Sequence, residues 1–555
     1  MNAEQLLQHF ERISEAPDAI PRLRRFILDL AVRGKLVEQD PSDEPASELL
    51  KRIATEKARL VKAGEIKKQK PLPPLTSDEL FNAIPSGWAV ARLEGISVCL
   101  DYKREPINGS ERQKRIEGKP PDCLFPYFGA TQQQGWIDDY LFDEDLVLLG
   151  EDGVPFFDPL RSKAYLISGK TWVNNHAHVF KCILASHSYL VHYLNAFDYS
   201  GRVVGATRSK LNQARAVDIP IPLPPLPEQH RIVAKVDELM FLCDQLEAAK
   251  AEREQCRDSL VAASLQGLNQ PAEEEETFRE HARFTFNNLP RITTRTVHIK
   301  QLRQTILNLA VRGALGTSQS DDPSALEDIK LIKDRKMGAA LRKPKPIAPI
   351  EKNEQWCSLP CGWEWTRWDQ ITDWITYGFT RPMPHEAVGV PIVTGKNVNH
   401  GRIIYETADR TPQAAYNTLS DKDKPQTGDI LITKDGSIGR TAVVEGDKIF
   451  CINQSVAVLW LRSCHLNRRF LQMVLDCPAT QLALLERTAG VAIKHISIND
   501  LGKMAFPLPP LPEQHRIVAK VTELTAICDQ LEAQITEKEQ DSRRFLESVL
   551  ADALA

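Results

Sequence analysis

Residues Pro222–Val236 read PLPPLPEQHRIVAKV, and the same fifteen residues return unchanged at Pro507–Val521, 285 positions later. The offset also carries the CDQLEA segment Cys243–Ala248 onto Cys528–Ala533. Proline fixes φ and removes a backbone donor, so neither helix nor sheet runs through such a tract. Behind the first tract, Ile232, Val236, Leu239, Cys243 and Leu246 step by 4, 3, 4, 3. Ile517, Val521, Leu524, Cys528 and Leu531 repeat that rhythm behind the second. A seam of this kind seeks a partner helix, so each tract reads as a joint between a compact domain and a long helix, and these ten residues as the helical spacer and partner interface. A surface helix covering a domain core is the competing reading.

A second echo fixes the period. ILDLAVRGKL at Ile27–Leu36 becomes ILNLAVRGAL at Ile306–Leu315, 279 residues later, and the Pro-x-Gly-Trp step Pro85–Trp88 matches Pro360–Trp363. Solenoids repeat at about 20 to 50 residues, so this spacing means two copies of a multi-domain unit. Between the helical stretches lie short β-rich runs, DLVLLG and HVFKCIL in one copy, GDILIT and SVAVLWL in the other, divided by Gly, Asp and Asn turns. The expected fold class is α+β. Two mixed, β-rich domains are separated by paired long helices in a coiled-coil-like spacer, with an internal pseudo-two-fold repeat. The expected regions are an N-terminal helical region (1–85), a first β-rich domain (86–219), a central helical region and linker (220–359), a second β-rich domain (360–506) and a C-terminal helical region (507–555). Gln270–Glu280, with four consecutive glutamates, reads as a solvated link.

At 555 residues the chain has room for three or four cores. Seventy basic and 74 acidic side chains give a formal charge of −4, which excludes a globally polybasic coat but leaves local patches open. Eleven cysteines, without the spacing of a small disulfide scaffold, point to reduced thiols. The start MNAEQLLQHFERI has no signal-peptide character and no run is long and apolar enough to span a membrane, so the cytoplasm is the expected compartment.

Familiar catalytic patterns fail on inspection. Gly169-Lys170-Thr171 suggests a phosphate loop, but Ala164 occupies the leading glycine position and Tyr165–Ile167 reads as strand. No complete dinucleotide loop, His-Glu-x-x-His or spaced pair of Cys-x-x-Cys elements occurs. His176, His178, Cys182, His187 and His192 do not have the spacing of a tetrahedral site, so no metal and no catalytic residue is assigned.

Both β-rich domains carry groups suited to reading DNA, because Asn and Gln pair with adenine edges, Arg with guanine edges and Lys with phosphates. In the first these are Lys103, Arg104, Arg112, Lys114, Arg115, Gln132, Gln133, Asn174 and Asn175, with Arg208 and Lys210 near its exit. In the second they are Lys396, Asn397, Lys434, Arg440, Asn453 and Gln454, with Lys494 near the exit. Trp88–Ile219 holds 15 basic and 16 acidic residues, so a DNA-facing surface there must arise by segregation of charge.

The combination of the repeated PLPPLPEQHRIVAKV, the LAVRG segments Leu30–Gly34 and Leu309–Gly313, and TKDGSIGRTAVV at Thr433–Val444 resembles the DNA-specificity subunit of type I restriction-modification systems. The resemblance covers nearly the whole chain. It implies a noncatalytic subunit in which each β-rich domain recognises one half of an asymmetric bipartite DNA sequence and the helices set the unspecified spacer. It further implies two methyltransferase subunits for adenine-N6 methylation and two motor-nuclease subunits for restriction. Those partners would bring S-adenosylmethionine, ATP and Mg. A repeat-built protein-interaction scaffold, with PLPPLP as a polyproline ligand, is the alternative.

Overall fold

The computed structural model describes residues 16, 18–69, 71, 73–76, 84–205, 209–269, 275–338, 348–399, 401–488 and 494–554. Two compact units divide the chain: Met1–Arg253 with Lys538–Ala555, and Glu254–Glu537. The units are therefore not the two sequence repeats: the first adds Lys538–Ala555 to its own residues, and the second is the continuous stretch between.

In the first unit, α1 (Ala19–Val32) and α2 (Ala46–Lys62) lead into the β-rich domain. Strand β1 (Ala89–Arg92) pairs antiparallel with β10 (Pro220–Leu223), so the domain opens and closes on one two-stranded ribbon. Inside it, β2 (Ser97–Cys99), β9 (Ala177–Cys182), β6 (Leu146–Gly150) and β7 (Ala164–Ile167) form an antiparallel sheet in that order. All five residues of β6 are buried, which explains its unbroken apolar run. A second sheet orders β4 (Gln133–Ile137), β3 (Phe125–Phe128), β8 (Lys170–Val173) and β5 (Phe142–Asp143), with β3 and β8 parallel. The helix α3 (Gly109–Ile116) contacts β4, and α4 (His187–Ala196) covers β6 and β7. Gly169 turns with φ +69° and Lys170 begins β8, so Gly-Lys-Thr belongs to a strand and cradles no phosphate.

A 44-residue helix, α5 (Leu226–Asn269), follows. The expected solvated link is corrected in part. Residues 270–274 lie outside the described ones, but Glu275 opens α6 (Glu275–Ile292), whose Leu289 and Ile292 are buried in the second unit's core. The acidic run therefore leads into a packed amphipathic helix. Next come α7 (Thr296–Val311) and α8 (Ala325–Gly338).

The second β-rich domain repeats the first. Strands β11 (Glu364–Arg367) and β21 (Ala505–Leu508) form the closing ribbon. Its main sheet runs β12 (Trp374–Tyr377), β20 (Val456–Trp460), β17 (Ile430–Thr433), β18 (Thr441–Val443), matching β2-β9-β6-β7. A second sheet orders β16 (Asp409–Thr411), β13 (Val390–Val393) and β19 (Cys451–Ile452), with β13 and β19 parallel as β3 and β8 are. A short hairpin, β14 (Val398–Asn399) with β15 (Arg402–Ile403), follows β13. The α9 (Arg468–Asp476) and α10 (Pro478–Glu486) helices pack together, and α11 (Leu511–Leu554), again 44 residues, ends the fold.

The repeated motifs are clamps between each β-rich domain and its helices. Gln229 donates to the Pro224 carbonyl at 2.9 Å and accepts from the Ser186 amide; Gln514 does the same with Pro509 and Asn467. Arg231 pairs with Asp43 and Arg516 with Asp322. Arg24 of α1 reaches Asp244 and Glu247 of α5 at 2.6 and 2.7 Å, as Arg303 of α7 reaches Asp529 and Glu532 of α11. The glycines of the two LAVRG segments explain themselves. Gly34 and Gly313 hold φ +67° and +72°, and a Cβ on either would lie 2.4 Å from Pro85 or Pro360 of the Pro-x-Gly-Trp step.

The seam positions go into these cores. Ile232, Val236 and Cys243 are buried in the first unit's cluster, with Leu239 and Leu246 packed against it. Ile517, Val521 and Cys528 are buried in the second, flanked by Leu524 and Leu531. Full burial of an aliphatic side chain contributes about 1.5 to 3 kcal/mol, so this apolar stripe outweighs the exposed ion pairs of the same helices.

Candidate nucleic-acid interface

Four loops converge at one end of each β-rich domain. In the first, the Asp152-Gly153 turn after β6 is held from two sides: the Glu151 amide donates to the His176 carbonyl at 2.8 Å, and the Leu211 amide donates to the Glu151 carbonyl at 2.7 Å. The exit segment adds a bridge between Asp152 and Lys210. The Asn174 amide donates to the Phe128 carbonyl at 3.0 Å, which brings in the end of β3 and the loop that carries Gln132 and Gln133.

The second domain builds the same junction. The Lys434 amide donates to the Ser455 carbonyl at 2.9 Å, the Ile496 amide to the Lys434 carbonyl at 3.0 Å and the Asn453 amide to the Val393 carbonyl at 3.3 Å. Asp435 bridges His495. Gly153 and Gly436, at φ +70° and +75°, make the two Asp-Gly turns. The connection that follows differs: residues 151–163 in the first domain against 434–440 in the second, so one recurrent framework carries unequal loops.

The junctions gather candidates that lie far apart in sequence: Asn174, Asn175 and Lys210 in one domain, and Lys434, Asn453, Gln454 and Lys494 in the other. Their side chains divide into framework and surface. Asn174 is buried and its Oδ1 accepts the His176 amide at 2.8 Å, while the Asn453 Oδ1 accepts the Ser455 amide at 3.1 Å. These asparagines shape the turn, as Asx motifs do. Asn175 and Gln454, one residue later, are exposed. Asn397 is fully buried, its Oδ1 accepting from the Thr394 amide and hydroxyl, so it too belongs to the fold.

Charge differs sharply between the two ends. In the first domain Arg104 is committed internally: it pairs with Glu151 at 3.0 Å and Asp101 at 3.1 Å and donates to the Ala177 carbonyl at 2.6 Å. Lys210 pairs with the other oxygen of Glu151 at 3.0 Å. His178, buried, bonds Asp101 at 2.6 Å and the Leu211 carbonyl at 2.8 Å. Burial works to raise the Asp101 pKa, but His178 and Arg104 together hold it below the usual carboxylate value. Asp101, Glu151 and His178 lie close enough to share a metal ion, yet Arg104 already supplies the cation to both carboxylates. His176 bonds Asp152 at 2.8 Å. In the second domain Lys434 pairs with Asp435 at 2.8 Å beside the Tyr377 ring, Lys396 pairs with Asp409 at 3.1 Å, and Arg440 and Lys494 are exposed.

Of the remaining first-domain candidates, Arg112, Lys114 and Arg115 lie on α3 and Gln133 on β4, two elements in contact. Arg112 lies over the Tyr127 ring at 4.8 Å and passes across Gly135, where a Cβ would meet its Nη1 at 2.2 Å. Arg115 pairs with Asp138 at 2.6 Å over Trp172. Lys103, Lys114, Gln132 and Gln133 are exposed, and so is Trp136 of β4, at 47%, an aromatic side chain that sequence patterning did not single out. The sequence signal for the junction itself was the Asp-Gly dipeptide present in both copies. Arg208 lies outside the described residues.

The two β-rich domains thus share one framework and differ in their exposed polar loops. Residues 85–253 and 387–538 match the family model "Type I restriction modification DNA specificity domain". The chain belongs to this family of type I restriction-modification specificity subunits, which are noncatalytic. It is 32% identical over 563 residues to the type I restriction enzyme EcoAI specificity subunit of Escherichia coli, covering 96% of this chain and 93% of that one. It is 30% identical over 573 residues to the EcoEI specificity subunit of the same organism, with the same coverage. The crystal structure of the HsdS subunit from Thermoanaerobacter tengcongensis aligns with 85% of this chain and 98% of its own, at 19% identity and a TM-score of 0.38. No helix among the described residues is long and apolar enough to cross a membrane.

Proposed function

We propose that this chain reads an asymmetric, bipartite DNA sequence, one half through each β-rich domain, and directs partner subunits to it. The observation that carries this reading is the four-loop junction built twice on identical clamps with different exposed side chains. Two modules that each contribute a few specific contacts multiply their discrimination when joined. The long helices that connect them set the unspecified spacer.

Two methyltransferase subunits would supply S-adenosylmethionine and adenine-N6 transfer. Two motor-nuclease subunits would supply ATP- and Mg-dependent translocation and cutting. The side chains of Arg104, Asn174, Asn397 and Asn453 bond within the fold, so this reading gives them a positioning role. It gives direct contact with DNA to the exposed groups Asn175, Gln454, Arg440, Lys494, Lys103, Lys114, Gln132 and Gln133.

The test is methylation-site mapping in cells that hold this chain with its methyltransferase partner. A motif of two constant blocks around an unspecified gap of fixed length supports the reading. Assembly without any methylated motif would instead favour a protein-interaction scaffold.

A further inference from the structure

We infer that Asn175 and Gln454 are equivalent base-reading residues, each selecting an adenine at the same register of its own half-site. This rests on the reading of the chain as a DNA-specificity subunit. Both residues stand at the second position of the turn between the closing strand of the second sheet and the central strand of the main sheet, β8 to β9 and β19 to β20. The backbone is pinned on either side of each. Asn174 donates to Phe128 and Asn453 to Val393 before them, while His176 accepts from Glu151 and Ser455 from Lys434 after them. The preceding asparagine locks the turn with its own side chain, at 2.8 and 3.1 Å. The carboxamides of Asn175 and Gln454 are thus presented on rigid apices and remain exposed. Rigid presentation is what sequence reading requires, because a mobile side chain loses in entropy what its hydrogen bonds gain.

The surroundings of the two turns have diverged. Glu151 stands where Lys434 stands, His176 where Ser455 stands and Lys210 where His495 stands. The exposed apex nevertheless carries a carboxamide both times, differing by one methylene. A carboxamide offers a donor and an acceptor side by side, the complement of the adenine N6 amine and N7. The backbone hydrogen bonds on either side of the two apices recur in both domains, although the Gln454 amide also donates to the Phe379 carbonyl at 2.9 Å, so the adenine read by Asn175 and the one read by Gln454 lie the same number of bases from the methylated base of their respective half-sites.

The experiment uses the full chain with its methyltransferase partners. Wild type, Asn175→Asp, Asn175→Ala, Gln454→Glu and Gln454→Ala are compared by methylation-site mapping and by competition binding. The binding probes are duplexes that carry the wild-type motif and vary one position at a time. Aspartate and glutamate keep the shape and delete the amide donor. The expected result is that adenine preference at one position of one half-site falls from about tenfold or more to near unity in the Asn175 variants, with the other half untouched. The Gln454 variants do the same in the opposite half at the matching register. Asn175→Gln, which retains the carboxamide, keeps the adenine preference.

Unchanged specificity, a uniform loss of affinity across all sequences, a loss at a position that prefers another base, or unequal registers would each overturn the inference. If wild type itself produces no bipartite motif, the reading of the whole chain fails instead. A bipartite wild-type motif that these variants leave intact removes the residue pair alone.

Discussion

The indole Nε1–H of Trp88 donates to the carboxylate of Glu228 at 3.0 Å, both side chains being buried. Trp363 and Glu513 repeat the bond at 2.8 Å. Each pair joins the Pro-x-Gly-Trp step to the first turn of a long helix, so two repeated motifs of the sequence meet in one buried contact. It fixes the β-rich domain at its closing ribbon, immediately outside the strands that begin and end the reading module.

Replacing Trp88 by phenylalanine keeps most of the apolar surface and deletes the donor. Glu228 would retain its bond from Gln39 at 2.7 Å and is not left unpaired, so the loss should be about 1 kcal/mol, the net contribution of one hydrogen bond. Urea denaturation of W88F and W363F measures it. Equal stability to wild type would show that the indole contributes packing alone.

Ile232→Lys and Val236→Lys place a charge in the first unit's core, and Ile517→Lys in the second's. An unpaired buried charge costs about 3 to 5 kcal/mol. Amide hydrogen exchange should therefore show protection lost in one unit per variant. Unaltered melting and exchange would place these residues on the surface.

Asp476 gives a pH-dependent stability. Burial pushes its carboxyl up to about 6, against a single lowering bond from the Thr441 hydroxyl at 2.6 Å. The folded state therefore binds this proton more tightly than the unfolded chain. Its contribution is fully present below the unfolded pKa near 4 and is lost as pH rises through 6. An asparagine side chain at this position would accept the same bond without ionising. D476N should match wild type near pH 4 and exceed it above pH 7 by on the order of 2 kcal/mol. A gap that does not grow between those pH values would contradict the assignment.

Arg440 and Lys494 are exposed beside the second-domain junction. Changing both to alanine should weaken binding to specific and nonspecific duplexes alike. It should also reduce the slope of log K against log salt by about 0.9 for each phosphate that is no longer neutralised. Lys210→Ala should change the slope less, because its ammonium is paired with Glu151 at 3.0 Å. An unchanged slope in the Arg440/Lys494 variant would remove those residues from the phosphate track.

The architecture was legible where the sequence repeats itself. PLPPLPEQHR, LAVRG and Pro-x-Gly-Trp return unaltered because residues in them meet partners within their own unit, as Gln229 meets Pro224 and Gln514 meets Pro509. The helix after the glutamate run was not legible, since its buried face begins only beyond the charges, at Phe278 and Ala282. In the junctions, residue type alone could not separate Asn174 from Asn175, or Asn453 from Gln454. Which of two adjacent amides closes the turn depends on backbone direction, and that is set by strands distant in sequence.

Modular reading by the two domains is tested most directly by exchanging residues 89–223 for the corresponding segment of a family relative and mapping methylated sites in cells with the partner subunits. The exchange keeps Trp88 and Glu228, which lie outside it. The account predicts that one block of the recognised sequence changes while the other block and the gap length stay as they were. A change in both blocks, or in neither, would contradict it.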